Sequence, residues 1–583
     1  MGCSQSIIAA DRDIVLQLGA PPMQQKQHIG AEAMATLLMQ KLDQKVAKAD
    51  RLASPQQKTP NVELASRDRG LTLPLLRAIR KFYAQHDALK LTVHDIWQSA
   101  EIPSIRSLIA SSQVSLVESL VSVAGDNDMP TGALIGSATT IFSYAWTGTH
   151  LGDLLDAIER QLEAFEEQPE ATTRYVWVDL FCGGHDEPGL FDDPLACADE
   201  VLLYASPLTD EWLPPLHPFV LAERGDAPIE GSTRTGPVAI TRAWSVLEVA
   251  SALARGCKLH VVLSPEEHAQ LAESIAVRFD AIADIFGAVD ARGTQLTNLR
   301  DRDFLRVRFE RFKGGISRVN LTLATALHEW LVAEARDSLA RLPAHDVGTS
   351  ALLPKVAQLL KHLGKHDEAL PLWRECYEAR RRDLGADDPQ TLGALRSVAQ
   401  VLLDLEEGRE ALSHARAAVG GLRAALGAQH RDTIAAAATL GAVLAHLPEL
   451  EVEACEVLRE VANSSRAVLG EADPDSLLAV GQLAEVLYRT REGGKGGTKL
   501  KEARQLLSEA RATAKRALGE RHRVSLDLEA QLACALTEDS ATRADGRAAL
   551  ARSVGRMADW LGDDDHQTLK YAQALSQLPA VLL

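Results

Sequence analysis

Polar and aromatic side chains suited to ligand binding follow three short apolar runs of this chain, and two more lie in one helical segment. The side chains that follow these runs are Ser143, Tyr144, Trp146, Asp179, His185 and Ser206. In open α/β sheets, ligands bind at the carboxyl ends of the strands. Glu248, one turn into a predicted helix, is expected to face the same crevice. Tyr144, Trp146 or Trp244 would then stack on a planar ring of the ligand.

The elements that must hold these side chains alternate between β-rich and helical patterns. The predicted strands are "TTIFSYAW" (139–146), "RYVWVDLF" (174–181), "EVLLYASP" (200–207) and "KLHVVLSP" (258–265). Amphipathic patterns over 151–165 and 240–256 predict helices between them. The β-α-β order with short connections favours a flavodoxin-like, doubly wound parallel sheet. We assign this α/β domain to residues 70–340, with helical segments after residue 270.

The C-terminal part of the chain contains an internal repeat. The repeated stretches are "LGADDPQTL" (384–392), "LGAQHRDTI" (426–434), "LGEADPDSL" (469–477), "LGERHRVSL" (518–526) and "LGDDDHQTL" (561–569). Their glycines recur after 42, 43, 49 and 43 residues, and the longest interval holds the insert "EGGKGGTK". Glycine after one helix and Asp, Ser or Thr before the next are common caps. Two amphipathic helices per unit predict an all-α solenoid over residues 350–583.

This repeat resembles the tetratricopeptide repeats of kinesin light chains, which carry a "LGxxHPxTL" loop and an "EAL" near the start of the second helix. The stretches that match the second feature are "DEAL" (367–370), "REAL" (409–412) and "KEAR" (501–504). The resemblance implies a superhelix whose concave face binds a protein or peptide. HEAT or armadillo repeats have a similar period without this loop, and are the structural alternative. A further interpretation, a cargo adaptor for a kinesin motor, is supported by the repeats alone. It is weakened because a light chain needs a long heptad coiled coil to pair with a heavy chain, and no such pattern precedes the repeats.

The α/β domain resembles the TIR domain, and more closely a TIR-like module of protist and algal proteins. The matching stretches are "GLTLPLL" (70–76), "FSYAW" (142–146), "WVDLFCGGH" (177–185), "ITRAWSVLE" (240–248) and "EWLVAEAR" (329–336). Gly183 and Gly184 replace an Asn-Gln pair of that module, and Ser245 replaces its Cys. The resemblance therefore implies no activity that depends on the replaced residues.

The TIR resemblance carries two functional expectations from different classes. One is a non-enzymatic module that self-associates into a homo-oligomer. The other is an NAD nucleosidase, because some TIR domains hydrolyse NAD with the Glu of a "WCxxE" motif, and Glu248 occupies that position. A carboxylate there stabilises the oxocarbenium-like state of glycosidic cleavage. Ser143, Tyr144, Trp146 and Trp244 would line the NAD crevice. We favour the interaction module, with no resident cofactor and NAD only as the substrate of the alternative.

The chain opens with "MGCSQS", a pattern for N-myristoylation of Gly2 after Met1 is removed. A palmitate on Cys3 would supply the second anchor, since one myristoyl chain alone holds a bilayer only marginally. The alternative is a chance match in which Cys3 is a free thiol. Residues 1–69 are expected to form an acylated, partly disordered tether, with one amphipathic helix over 31–52.

Charge and cysteine usage limit the classes of partner and the cellular compartment that we expect for this protein. The net charge of −18 and the pI near 5.5 argue against a nucleic-acid partner. The seven cysteines stand singly, without metal or redox spacing, which favours reduced thiols in the cytoplasm and no metal site. No run is apolar enough for a spanning helix. These features predict a membrane-tethered signalling scaffold, peripheral to the cytosolic face of a membrane and held there by its acyl chains.

Overall fold

The computed structural model describes the chain in stretches separated by gaps. The described residues are 30–52, 69–98, 115–127, 129, 132–146, 149–167, 172–182, 192–206, 217–218, 238–296, 301–490, 497–539, 541–562 and 565–578. They form a mixed α/β unit that leads into a stack of helix pairs. Gly2, Cys3 and His185 lie outside the described residues, so the predictions on them stay predictions.

The strands of the α/β unit are short. They are β1 (Arg69–Leu71), β2 (Ile135–Ser137), β3 (Thr140–Ser143), β4 (Val176–Val178), β5 (Glu200–Tyr204), β6 (His217–Pro218), β7 (Lys258–Val262) and β8 (Gln295–Leu296). Six of them form one sheet in the order β2-β1-β4-β3-β5-β7, and β6 pairs with β8. The mixed sheet fits the predicted α/β class.

The four strands predicted from the sequence lie side by side and parallel. Thr140 of β3 is in register with Val176 of β4 on one side and with Glu200 of β5 on the other. The strand order therefore reverses at β3, which is where doubly wound sheets open a crevice at their carboxyl edge. Strands β1 and β2 add an antiparallel edge that the sequence pattern did not indicate.

Helices cover this sheet and extend it. They are α1 (Ala31–Leu52), α2 (Leu73–Gln85), α3 (Val93–Gln98), α4 (Leu116–Asp126), α5 (Leu151–Glu166), α6 (Asp179–Cys182), α7 (Asp192–Cys197), α8 (Ala243–Ala254), α9 (Pro265–Gly287), α10 (Arg302–Arg311) and α11 (Gly315–Ala340). Helix α1 packs on α2 and α4 through buried Leu38, Met39 and Leu42. The expected amphipathic helix is thus part of the folded unit, although the sequence placed it in the tether.

Helix pairs make up the rest of the chain. Their helices are α12 (Ala344–Val347), α13 (Leu352–His362), α14 (His366–Asp383), α15 (Pro389–Asp404), α16 (Gly408–Leu426), α17 (Arg431–Ala445), α18 (Glu451–Leu469), α19 (Pro474–Arg489), α20 (Thr498–Ala517), α21 (Arg523–Thr537), α22 (Arg543–Leu561) and α23 (His566–Gln577). From α13 onward each helix packs on the next along the chain, as expected of a solenoid.

The repeated loops begin and end these helices in the predicted way. Gly427 and Gly470 follow their helices with positive φ angles of 87° and 98°, a region that favours glycine. The Asp388 carboxylate accepts a hydrogen bond from the Gln390 backbone N–H at 2.8 Å and caps α15. His522 takes the same place before α21, where its Nδ1 accepts from the Val524 N–H at 3.2 Å.

Glutamates near the start of the second helices, three of them in the "EAL"-type stretches, tie consecutive units together. The ion pairs are Arg336–Glu368 (2.7 Å), Arg374–Glu410 (2.7 Å), Arg416–Glu453 (2.8 Å) and Arg459–Glu502 (2.5 Å). Each pair joins the second helix of one unit to that of the next, or α11 to the first unit. Exposed pairs contribute little singly, about 0–1 kcal/mol each, but a repeated ladder fixes the register of the stack.

No helix among the described residues is long and apolar enough to cross a membrane. In the same part of the chain, no group of three or more His, Cys, Asp or Glu side chains is arranged to hold a metal ion.

Candidate functional site

The carboxyl edge of the sheet gathers five side chains, which we name the strand-end cluster. Its members are Ser143, Tyr144, Trp146, Asp179 and Glu248. Ser143 is the last residue of β3, and Asp179 follows the last residue of β4 directly. Because β3 and β4 are parallel neighbours, their ends meet at one edge, and α8 brings Glu248 to it. The side chain of Ser143 is buried and its Oγ donates to Glu248 Oε2 at 2.7 Å.

Asp179 organises the other side of the cluster. The indole Nε1 of Trp146 donates to Asp179 Oδ2 at 2.5 Å, and the backbone N–H of Leu180 donates to Asp179 Oδ1 at 2.6 Å. The Tyr144 hydroxyl is buried beside Asp179 and interacts with its carboxylate, but the geometry falls short of a well-formed hydrogen bond. A poorly bonded buried hydroxyl is costly, and an incoming ligand could improve its bonding.

Burial dominates the electrostatics of the cluster. Removal from water, and then the charge of Asp179, raise the pKa of Glu248 to about 8, against the opposing hydrogen bond from Ser143. Burial also raises the pKa of Asp179, while the donors around its carboxylate oppose that rise. At neutral pH, Glu248 is therefore the protonated partner of a carboxyl pair. A positive charge on a ligand would lower both pKa values and favour the ionised Glu248.

Trp244 lies apart from the strand-end cluster in its contacts. Its indole Nε1 donates to Asp301 Oδ2 at 2.9 Å, and its ring stacks on Phe304 of α10, with centroids 5.7 Å apart. The structure thus joins Trp244 to α10, whereas Ser143, Tyr144 and Trp146 meet around Asp179 and Glu248.

Two further residues singled out from the sequence have structural contacts here. The hydroxyl of Ser245 donates to the backbone oxygen of Tyr144 at 3.0 Å. Ser206 Oγ accepts from the Ser264 N–H at 2.6 Å. The sequence pattern puts Asp179 at a strand end and assigns it no role. Its position directly after the apolar run of β4 was the available signal.

The helical stack supplies a second candidate site, its concave face. Lys570 of α23 forms an ion pair with Glu485 of α19 at 3.1 Å, reaching past α21 between them. First helices two units apart can meet only where the stack is tightest, so this pair marks the concave side. Arg396 of α15 shares that side, since the charges of Asp432 and Asp475 on the next two first helices act on it. Burial lowers the pKa of Arg396.

A buried polar network lies beneath the Lys570–Glu485 pair. The Tyr571 hydroxyl donates to Asp527 Oδ1 at 2.7 Å, and Gln531 Nε2 donates to Asp527 Oδ2 at 2.9 Å. Burial raises the pKa of Asp527, and the hydrogen bond from Tyr571 opposes the rise. The bond from Tyr571 fixes α23 on α21 and so shapes the distal end of the concave face.

Comparison with known proteins bears on the helical stack. Residues 349–420 match the family described as Tetratricopeptide repeat. A search of curated proteins found no match to this chain.

Several solved structures are similar in part. A Podosopora anserina kinesin-light-chain-type protein with nearly identical TPR-like repeats is 18% identical, and the match covers 37% of this chain and 98% of that one with a TM-score of 0.31. BtubC (BKLC) from P. vanneervenii is 16% identical, with 44% and 96% covered and a TM-score of 0.29. A Rap protein in complex with Competence and Sporulation Factor is 13% identical, with 57% and 85% covered and a TM-score of 0.31.

The family match and the repeat loops agree on the same residues. The matched segment spans α13 to α16, that is, the first two helix pairs, and includes the loop "LGADDPQTL" and the "EAL" at 410–412. The prediction of tetratricopeptide repeats is therefore confirmed, and the chain contains an array of them behind its α/β unit.

Proposed function

We propose that this protein is a protein-binding scaffold whose repeat array takes a peptide segment on its concave face. The observation that carries the proposal is the array itself. The "EAL" glutamates are engaged in the ladder of ion pairs on the second helices, which we name the outer ladder, while the first helices line a continuous inner face. Arrays of this kind use the inner face for extended protein ligands.

The test is a peptide selection against the full chain. Peptides from a displayed random library would be enriched on the protein, and their affinities measured by fluorescence anisotropy. Arg396→Glu on the concave face is expected to weaken binding at least about tenfold, which corresponds to about 1.4 kcal/mol. Arg416→Glu, on the outer ladder, is the matched control and should bind like the wild type. No enriched peptide, or equal binding by both variants, would contradict the proposal.

Acyl chains on the N-terminal segment would hold this scaffold at a membrane. The proposal rests on the pattern of Gly2, Cys3 and Ser6, which a myristoyl and a palmitoyl chain would use together. The full chain is expected in the membrane fraction of cells, lost from it in Gly2→Ala and reduced in Cys3→Ser. An unchanged distribution of both variants would refute the tether.

Self-association through the α/β unit would complete a signalling adaptor. This part of the proposal is supported by the TIR-like motifs and by the strand order, which reverses at β3 as in doubly wound sheets. Sedimentation velocity of the full chain is expected to show a concentration-dependent oligomer. A monomer at all concentrations would remove this part and leave the repeat-based proposal standing.

A second candidate function is cleavage of the nicotinamide–ribose bond of NAD. The observation that favours it is the strand-end cluster, where Glu248 and Asp179 lie in a buried site with the poorly bonded Tyr144 hydroxyl. A ligand with a positive ring would help to ionise Glu248, and the carboxylate would stabilise the oxocarbenium-like state. Purified protein incubated with NAD should release nicotinamide, and Glu248→Ala should not, while exposed Glu273→Ala should. No release by the wild type would exclude this function.

A further inference from the structure

The repeat array touches the α/β unit at both of its ends, through the same helix. Lys365 of the first repeat forms an ion pair with Glu329 of α11 at 2.6 Å, and Arg336 of α11 pairs with Glu368 at 2.7 Å. At the other end, α22 of the last repeat packs on α11. Leu321 of α11 lies beside Gly562 at the end of α22, and Arg336 lies fifteen residues further, about 22 Å along the same helix. Helix α11 thus bridges the two ends of the array and closes it into a ring.

The first repeat contacts the α/β unit through buried apolar packing of the kind found within a domain core. Buried side chains form one continuous hydrophobic cluster from α1 through α11 into the helices of the array. Lys355 of α13 adds an ion pair with Asp280 of α9 at 2.8 Å and donates to the Ala276 carbonyl at 3.0 Å. Such a junction opens only with the loss of core packing.

The contact of the last repeat is built differently. The ring of Trp560 in α22 lies between two guanidinium groups, that of Arg292 at 4.4 Å and that of Arg521 at 3.8 Å from its centroid. Arg521 belongs to the array, whereas Arg292 belongs to the α/β unit, in a turn held by Asn320 through a 2.8 Å bond to the Ala291 N–H. We name the contact of Trp560 with Arg292 the distal clamp. A cation–π contact at a partly exposed site is weak.

The hydrophobic core of the last repeat supports the same distinction. Leu550 and Met557 of α22 belong to a second cluster, against which Trp560 packs, whereas α21 contributes side chains to both clusters. Helix α22, whose buried apolar side chains belong to the second cluster alone, can therefore move from α11 without exposing side chains of the main cluster. Local openings of this kind occur where few buried apolar contacts are lost.

We infer that the array is a ring that opens at the distal clamp, and that this opening admits the ligand to the concave face. The role given to the opening rests on the proposed peptide-binding function. The closed ring itself does not depend on any ligand. In the closed ring, an extended chain must thread past α11. With the clamp open, it can lie down sideways on the first helices.

Substitution of Gly562 by Ala tests this inference, and the same substitution at Gly470 is its matched control. A Cβ at Gly562 would lie 2.7 Å from Leu321 Cδ2 of α11, whereas nothing lies within 4 Å of a Cβ at Gly470. Both glycines have nearly the same φ, 99° and 98°, so alanine strains both loops equally. Only Gly562→Ala also crowds Leu321 of α11, at the contact between the last repeat and the α/β unit. Arg292→Gln removes the clamp from the other side and leaves the repeat sequence intact.

The experiment is hydrogen–deuterium exchange on the full chain, with small-angle X-ray scattering on the same samples and no added peptide. Gly562→Ala and Arg292→Gln are each expected to speed exchange in residues 543–562 by about tenfold and to increase the maximum dimension. Gly470→Ala should leave both at wild-type values. Wild-type exchange and dimension in the first two variants, or equal acceleration in Gly470→Ala, would overturn the inference. Because no ligand is present, neither result depends on the proposed peptide binding.

Discussion

Replacing Glu248 with Gln should change how the stability of this protein depends on pH. The Glu248 side chain is only 8% exposed and bonds Ser143, so the isosteric amide keeps the shape of the protonated acid. Burial and the nearby Asp179 raise the pKa of Glu248 to about 8. The native protein therefore has to bury a charge above that pH, and Gln removes this cost.

The sign and size follow from proton binding. Native Glu248 holds its proton up to a pH of about 8, whereas the unfolded chain releases it near the ordinary value of 4.5. Between these two values the native state binds more protons, so the free energy of unfolding falls as the pH rises. The difference corresponds to at most about 5 kcal/mol, at about 1.4 kcal/mol per pH unit. Water penetration relaxes such penalties, so we expect a loss of about 2–4 kcal/mol.

Urea denaturation at pH 5, 7 and 9 measures the effect, with the exposed Glu273→Gln as control. The advantage of Glu248→Gln over the wild type should be smallest at pH 5, where the native acid is neutral and the pH has passed only a little above the unfolded pKa of 4.5. At pH 9, the free energy of unfolding of Glu248→Gln should exceed that of the wild type by the full amount, about 2–4 kcal/mol. Parallel pH profiles for wild type and Glu248→Gln would refute the reasoning, since Glu248 would then be ionised at no cost in the native state.

Three substitutions in the array test its packing. Gly393→Ala, with open space around its Cβ, should raise the free energy of unfolding by about 0.5–1 kcal/mol. Gly546→Ala should lower it by about 1–3 kcal/mol, because the Cβ would lie 2.7 Å from the Thr537 backbone nitrogen. Thermal denaturation separates the two, and equal midpoints would contradict the packing. Tyr571→Phe should cost about 1–3 kcal/mol in urea denaturation because buried Asp527 loses a donor, and an unchanged midpoint would show that the bond is dispensable.

The repeat array could be predicted because its signals are local. Gly427 and Gly470 follow their helices with positive φ angles, and the caps before α15 and α19 come from Asp388 and Asp473 within the same loops. The physics of each loop is complete within about ten residues. A period of loops therefore indicates the stack before any contact between helices is known.

The antiparallel edge of the sheet could not be predicted in the same way. Strands β1 and β2 have three residues each and contain Gly70 and Gly136, which weaken a strand signal. Both glycines make room for Tyr175, since a Cβ at either position would lie 2.6–2.7 Å from its atoms. The reason for these glycines is thus a contact with a residue that is distant in sequence.

The strand-end cluster lies between these two cases. Parallel strands end at one edge, so the sequence could place Ser143, Trp146 and Asp179 together. The direction of a long side chain is set by packing, and Trp244 turns to Asp301 and Phe304 of a helix that the pattern did not separate from its neighbours. The raised pKa of Glu248 likewise depends on burial, which no motif specifies.

The footprint of a bound peptide tests the central claim most directly. Hydrogen–deuterium exchange of the full chain would be compared with and without a saturating peptide from the selection. Binding on the concave face predicts slower exchange in the first helices α15, α17 and α19, with the outer helices α16 and α18 unchanged. Protection confined to the outer helices, or to the α/β unit, would contradict the account.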